Sequence, residues 1–489
     1  MLVRMFLLRG IGRRSWFLTF GCWCLLASCR GADTPRPLPK IHIAPDGRTF
    51  VTADGTRFVP FGVNYYRPDT GWAPQMWSKF DAGAVRADFE RMRDLGVNCV
   101  RVFLTYAAFC KEPGKLEADG LAKFEQFLAM AEAAGIYVHP TGLDHWEPLP
   151  DWAKVDRVAD EAHLNALAEF WKLFAARYRG RSVIFAYDLR NEPEVQWDNA
   201  VMREKWNHWL AQHYGTLDKL VSTWHPTNAN LSFGNMAVPG SPRLTGSREV
   251  LDYQLFREDV ADEWTRRQVS AIKAADSNAL VTVGLIQWSI PSLLPRLQNY
   301  SGFRPARQAR LLDFLEIHFY PFENGTFSYG GSVEEGRNLA YLEGLMREVA
   351  LPGKPVILAE YGWYGGGKPK FGGVPFPAAS EEQQAQFCRR IVKTSEGFAT
   401  GWLNWGLYDV PQANDVSQLT GVLTASGQIK AWGHEFKKLA AHYKEQRFQP
   451  KRLQRPALDW NACLTNGPAA RRFRQEYLKA YNADPARAN

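Results

Sequence analysis

Eight short apolar runs, each followed by an amphipathic stretch of helical period, alternate between residues 58 and 443. The predicted strands are Phe58–Tyr65, Val97–Leu104, Ile136–Thr141, Val183–Leu189, Leu280–Ile286, Leu312–Phe319, Val356–Glu360 and Trp402–Trp405. The predicted helices between and after them are Ala82–Leu95, Gly120–Ala134, Asp160–Tyr178, Tyr253–Ala275, Ser289–Asn299, Val333–Val349, Glu381–Glu396 and Ile429–Tyr443. Near-continuous apolar strands are buried on both faces, which is the habit of parallel sheets. Parallel neighbours need a long crossover, usually a helix. Eight such units predict an α/β chain closed into a (β/α)8 TIM barrel. Gly96, Gly135 and Gly353 follow three of the helices, where a left-handed stop is wanted. A doubly wound sheet is the alternative, but polar groups at the tip of nearly every strand suit it poorly.

The flanks read differently. Residues 1–28 carry Arg4, Arg9, Arg13 and Arg14, no acid, and the apolar run Trp16 to Ala27. A basic start before a short apolar run is an export signal, too short for a confident membrane span. It ends in Leu26-Ala-Ser-Cys29, which resembles a bacterial lipoprotein box and implies a lipid on Cys29. An exported protein of the cell envelope, held to a membrane through that lipid, is therefore expected; an ordinary secretory signal is the alternative. Residues 29–40, with Pro35, Pro37 and Pro39, form a stiff tether. The catalytic domain is expected over residues 41–445, opening with a hairpin at 41–58 placed to floor the barrel. Residues 446–489 form an extension packed on its exterior. The net charge of +8 drops by the four leader arginines, and no long basic run remains, so nucleic acid is not an expected partner. A monomer is expected. Cys99, Cys110, Cys388 and Cys463 remain past the leader; export permits disulfides among them, and buried free thiols are equally compatible.

In a parallel barrel the C-terminal strand ends converge on one rim, where chemistry is done. Two strands carry a glutamate there. One runs Ile184-Phe-Ala-Tyr-Asp-Leu-Arg-Asn-Glu-Pro193, the other Pro355-Val-Ile-Leu-Ala-Glu-Tyr-Gly362. The remaining tips supply Asn64 and Tyr65, Arg101, Asp144, His145 and Trp146, His318 and Tyr320, and Trp405. Two carboxylates beside an Arg, two His and aromatic rings, with no metal-ligand spacing or phosphate cradle, suit glycoside hydrolysis. The chain also holds 18 Trp and 18 Tyr, several in predicted loops. Flat apolar rings in a cleft suit sugar faces.

These residues resemble the clan A glycoside hydrolases, most closely glycoside hydrolase family 5, the cellulase and mannanase family. The resemblance runs over most of residues 41–445 and rests on Asn191-Glu192-Pro193, Glu360-Tyr361-Gly362, His318-x-Tyr320, Arg101 and Trp405. It implies Glu192 as acid/base and Glu360 as nucleophile, with no cofactor. It implies that Asn191 holds the sugar 2-hydroxyl and that Arg101 and Tyr320 orient Glu360. It places His318 beside the acid/base and Trp405 under the sugar. His145, Trp146 and Tyr65 are further substrate-binding candidates. Arg101 is expected to lower the Glu360 pKa, and the Glu360 charge to raise that of Glu192.

The excursion after the fourth strand, Gln196 to Leu251, departs from this pattern. Trp206-x-x-Trp209, Tyr214-Gly-Thr-Leu-Asp-Lys-Leu220, Trp224 and Leu251-Asp-Tyr-Gln-Leu-Phe256 are similar to a segment of the family 42 β-galactosidases. It reads as one long cleft wall. The expected activity is retaining hydrolysis of a β-glycan or oligosaccharide, with β-mannan or β-glucan favoured. A β-galactosidase-like exo-enzyme, a transglycosidase and a non-catalytic carbohydrate-binding lipoprotein are the alternatives.

Overall fold

A computed structural model describes residues 37–70, 73–144, 148–226, 231–240, 246–322 and 327–484. The leader, Cys29, His145 and Trp146 lie outside the described residues. The first element is a small antiparallel sheet of β1 (Ile41–Ile43), β2 (Phe50–Thr52) and β3 (Arg57–Phe58). Asp46 makes its first turn, accepting the backbone N–H groups of Arg48 and Thr49 at 2.8 and 3.0 Å. The expected hairpin thus gains a third strand.

Eight strands then close a barrel: β4 (Phe61–Asn64), β5 (Cys99–Thr105), β6 (Tyr137–Asp144), β7 (Tyr187–Asn191), β8 (Val281–Leu285), β9 (Leu315–Phe319), β10 (Val356–Tyr361) and, after the short loop hairpin of β11 (Lys370–Phe371) and β12 (Val374–Pro375), β13 (Gly401–Asn404). Every barrel pairing is parallel, and the ring runs β10-β13-β4-β5-β6-β7-β8-β9. All eight strands are buried along their whole length, as their apolar runs require. The α/β reading of the sequence is therefore the architecture observed.

The small sheet closes the barrel's N-terminal end. Phe50 is fully buried and meets Phe185 and Phe314 edge-on, each at 5.2 Å between ring centroids. Phe58 sits against Tyr137 at 4.9 Å. With Ile41, Ile357, Ala359 and Leu403 these rings form an apolar cluster separate from the main core. The layer between barrel and helices is the main core, rich in aromatics such as Trp77, Trp171 and Trp264.

Some elements differ from the sequence reading for identifiable reasons. The fourth strand's ladder lies at Tyr187–Asn191, downstream of the apolar run at Val183 to Ala186, which is buried below it. The predicted helix at Ser289–Asn299 is instead a series of 3-10 turns; Pro291 and Pro295 remove the backbone donors that a continuous helix needs. In the excursion, Ala200–Tyr214 is followed by a second helix, Leu217–Trp224, capped by Thr216. The long helix Arg248–Ala275 starts earlier than predicted because Ser247 caps it, accepting from Val250 N at 3.2 Å. The excursion's tryptophans stack on one another: Trp206 is fully buried, 5.4 Å from Trp209 and 6.1 Å from Trp224. They join the main core, and the expectation of indole faces offered to sugar fails for Trp206.

The C-terminal extension carries two helices, Trp460–Thr465 and Gly467–Asn482. Arg455 ties it to the helix Ser332–Ala350 through Glu343 at 2.8 Å and to its own end through Asp484 at 2.7 Å. Cys99, Cys110, Cys388 and Cys463 are all buried free thiols. No helix among the described residues is long and apolar enough to cross a membrane.

The floor yields a stability prediction. Phe50→Ala removes the ring on which Phe185 and Phe314 rest, and is expected to cost ~3–5 kcal/mol. Urea unfolding measures this; an unshifted midpoint would show that the floor does not brace the barrel.

Candidate active site

Arg101 lies inside the barrel with no exposed surface, delivered there by the period-two alternation of β5. A buried guanidinium must find partners for its N–H groups. Nη1 donates to Glu360 Oε1 at 2.7 Å and to Asn64 Oδ1 at 2.8 Å. Nη2 donates to Asp188 Oδ2 at 2.7 Å and to Asn191 Oδ1 at 2.9 Å, and Nε to Asp188 Oδ2 at 3.1 Å. One side chain thereby joins β4, β7 and β10. Asp188 is fixed in turn by Thr141 Oγ1 at 3.0 Å and Gly284 N at 2.8 Å. Gly284 on β8 leaves the necessary space: a Cβ there would stand 2.8 Å from Arg101 Nη2 and 3.1 Å from both Asp188 Oδ2 and His318 Nε2.

The two glutamates stand above this layer. Glu360 Oε2 accepts the Tyr320 hydroxyl at 3.0 Å. Glu192 follows the end of β7 with φ at +45°, a conformation that costs a non-glycine residue energy and turns its side chain at the rim. Its carboxylate touches neither Arg101 nor Tyr320. His318 Nδ1 lies 2.9 Å from Glu192 Oε1 and 3.5 Å from Glu360 Oε1. The imidazole therefore sits between the carboxyls, and oxygen atoms of the two approach within 4.8 Å of each other.

Their electrostatics differ from the expectation. Burial raises the Glu192 pKa to about 7, against the pull of Arg101 and with a smaller push from Asp144. The charge of Glu360 is not the main cause. Glu360 is itself raised rather than lowered: burial outweighs the pull of the Arg101 guanidinium. The physical reason is that Glu360 is almost wholly removed from water while Arg101 divides its field with Asp188. Burial draws His318 down to about 4, so it is neutral at neutral pH.

Trp405 is buried at the rim, its indole N–H donating to Ser417 Oγ at 2.9 Å. It packs 5.3 Å from Tyr66 and 5.9 Å from Phe103, forming an aromatic patch that Tyr320 borders. Tyr65 is a correction. Its hydroxyl donates to Asp88 Oδ2 at 2.8 Å and its ring packs on Phe89 and Phe127, behind the barrel wall. Alternation explains this, since Asn64 takes the inward position. Sequence reasoning gave no role to Asp188 or Gly284. A carboxylate inside an apolar strand was the available signal for Asp188, because such a group needs a buried partner.

Two groups offer metal-like donors: Glu192, His318 and Glu360, and, deeper, His139, Asp188 and Glu316. In each, a carboxylate is already ion-paired with Arg101, and His139 Nε2 lies 2.7 Å from Glu316 Oε1. These contacts describe charge-paired groups rather than cation cages.

A barrel with paired glutamates on its C-terminal rim is the architecture of a large class of sugar-cleaving enzymes, and residues 51–408 match the family model "Cellulase (glycosyl hydrolase family 5)". The chain belongs to that family. Over 250 residues it is 26% identical to the β-galactosidase BgaA of Thermus sp. and 25% to a β-galactosidase of Thermus thermophilus. Each match covers 45% of this chain and 37% of the relative, so the chain spans little more than a third of the curated relatives it matches. Among solved structures, a GH5_18 protein of Streptomyces cattleya in complex with Manβ1-4GlcNAc aligns at a TM-score of 0.59 and 20% identity, covering 87% of this chain and 92% of that one. An exo-β-1,4-mannosidase of an Opitutaceae bacterium aligns at 0.57 and 18%, covering 83% and 63%. A β-galactosidase of Rahnella sp. R3 aligns at 0.64 and 15%, covering 83% and 60%. At these identities the structures share the fold.

Gly284→Ala is expected to displace Arg101 or His318 and to lower kcat at least ~10-fold, with a smaller change in KM, since a misplacement of about 1 Å can cost 10²-fold. Steady-state kinetics on an aryl glycoside checks this; wild-type kcat would mean the layer under the glutamates does not hold them.

Proposed function

We propose that this chain is a retaining β-glycoside hydrolase in which Glu360 is the nucleophile and Glu192 the acid/base. The observation that carries this reading is the asymmetry of the pair: oxygen atoms within 4.8 Å of each other, with Arg101 and Tyr320 bonded to Glu360 alone. Retaining enzymes space their carboxyls at about 5–5.5 Å, and inverting ones at about 6.5–9.5 Å to admit a water.

In the first step Glu360 attacks the anomeric carbon as the glycosidic C–O bond breaks, and Glu192 gives its proton to the leaving oxygen. Arg101 and Tyr320 hold the attacking oxygens in place, and Asn191 on the same rim is assigned to the 2-hydroxyl. In the second step the ionised Glu192 takes a proton from water, which attacks the same carbon and frees Glu360. A pKa about 7 keeps Glu192 protonated for the first step at neutral pH and close to ionising for the second.

For substrate we favour a β-mannoside or β-glucoside in an oligosaccharide. The cellulase family match and the nearly full-length alignment with the Manβ1-4GlcNAc complex support this. The 250-residue similarity to Thermus β-galactosidases supports a β-galactoside as the second reading. Turnover of aryl β-mannoside, β-glucoside and β-galactoside decides between them.

Glu360→Gln is expected to lower aryl glycoside turnover by at least ~10⁴-fold. Glu192→Ala should accumulate the glycosyl-enzyme on an activated substrate, with azide restoring turnover as a glycosyl azide of retained configuration. An inverted azide product would overturn the assignment. Because the Glu192 carboxyl acts protonated, kcat/KM on a substrate with a poor leaving group should fall as pH rises through about 7. A dinitrophenyl leaving group needs no proton and should lose that limb. A limb equally strong with both leaving groups would count against Glu192.

A further inference from the structure

Next to Glu192, on the wall formed by the tops of β6 and β7, two arginines have no counter-ion that the hydrolytic pair explains. Arg190 lies on β7 two residues before Glu192 and is only 7% exposed, yet its Nε is buried without a hydrogen-bond partner. Arg157, half-buried in the loop before the helix Glu161–Arg177, has a buried Nη1 in the same condition. Among the described residues neither guanidinium makes an ion pair. Burial, and next the like charge of Arg190, draw Arg157 down to about 10, so it stays charged at neutral pH and lies within electrostatic reach of Arg190. Both charges bear on the buried Tyr106 and on His163, whose Nε2 lies 2.9 Å from the Tyr106 hydroxyl. Burial and these two cations hold His163 at about 4, so it is neutral and adds no further positive charge. Asp144 is the carboxylate whose field reaches Arg157, Tyr106 and Glu192 alike.

A buried structural arginine ordinarily gives its terminal nitrogens to an acid or to carbonyl oxygens, as Arg101 and Arg257 do, even where, as in Arg257, Nε meets no partner. Two guanidiniums within reach of each other, each with a buried donor that meets no acceptor, are costly unless an oxyanion adds to the fields of Asp144 and Asp156 that already bear on Arg157. Their planar forks match carboxylate, sulfate or phosphate.

We propose that Arg157 and Arg190 form a binding site for an oxyanion carried by the substrate: a uronic carboxylate, or a sulfate or phosphate ester, on the acid/base side of the cleft. The placement relative to the scissile bond rests on the assignment of Glu192 as acid/base; the anion site itself does not. Since Glu192 serves the leaving oxygen, the anionic sugar would lie on the leaving-group side.

The test titrates D-glucuronate, inorganic sulfate and inorganic phosphate, with glucose as neutral control, into the full chain by calorimetry, and repeats the titrations with Arg190→Met and Arg157→Gln. At least one oxyanion should bind where glucose does not, about tenfold more weakly in either variant, because a charge-assisted pair is removed. The three arms distinguish uronate from the two esters. Arg157→Gln, at a half-exposed position, keeps the test open if Arg190→Met fails to fold. The same oxyanion should inhibit hydrolysis of a neutral aryl glycoside competitively. No binding up to millimolar concentration, binding that survives in a folded variant, or non-competitive inhibition would each overturn the proposal. A Glu360→Gln variant that kept full turnover would remove the catalytic reading while leaving the titrations intact.

Discussion

The Arg101 guanidinium is the interaction on which the upper barrel depends. It bonds side chains from β4, β7 and β10, and a single buried cation fixes where Glu360 can point. A buried ion cluster of this kind is weak evidence for stability, because desolvation offsets much of the attraction. Its value is geometric. Asp188 takes most of one edge of the fork, so Glu360 meets only one nitrogen and keeps its other oxygen for Tyr320. Gly284 is part of the same arrangement through the side chain it lacks.

The difference between the two glutamates follows from the groups each one meets more than from mutual repulsion. Both are pushed up by loss of water. What separates them is the donors each one meets. Glu360 has a guanidinium and a phenol; among the described residues Glu192 bonds only a neutral imidazole, and its side chain is 27% exposed at the rim. A carboxyl held by two donors is ready to act ionised. One held beside a neutral ring at a rim can exchange a proton with its surroundings. The positive φ of Glu192 marks strained backbone at the same rim position, just past the end of β7.

The barrel was legible because apolar runs of strand length alternating with helical periods admit few other closures. Glu192, Glu360, Arg101, Asn191, His318 and Tyr320 were legible as strand tips, and the structure brings these six together. Tyr65 was misplaced by one residue of register, which in a strand exchanges the two faces. Asp188 gave a signal that was not read as a partner of Arg101. The Trp-rich excursion misled in the other direction: indoles suited to sugar stack on each other, because a long insertion with two helices needs apolar side chains to join it to the main core.

By itself the sequence determined the (β/α)8 architecture and the pair of carboxyls at its rim, since both depend on local period and on which residue ends each strand. Only the tertiary structure decided how those carboxyls differ. Their pKa values depend on the depth of burial and on which of several side chains Arg101 reaches, and these partners lie far apart in the chain, at positions 64, 188, 191 and 360. The same holds for the Arg157 and Arg190 pair, whose unpartnered buried donors are visible only once the acids among the described residues have been placed.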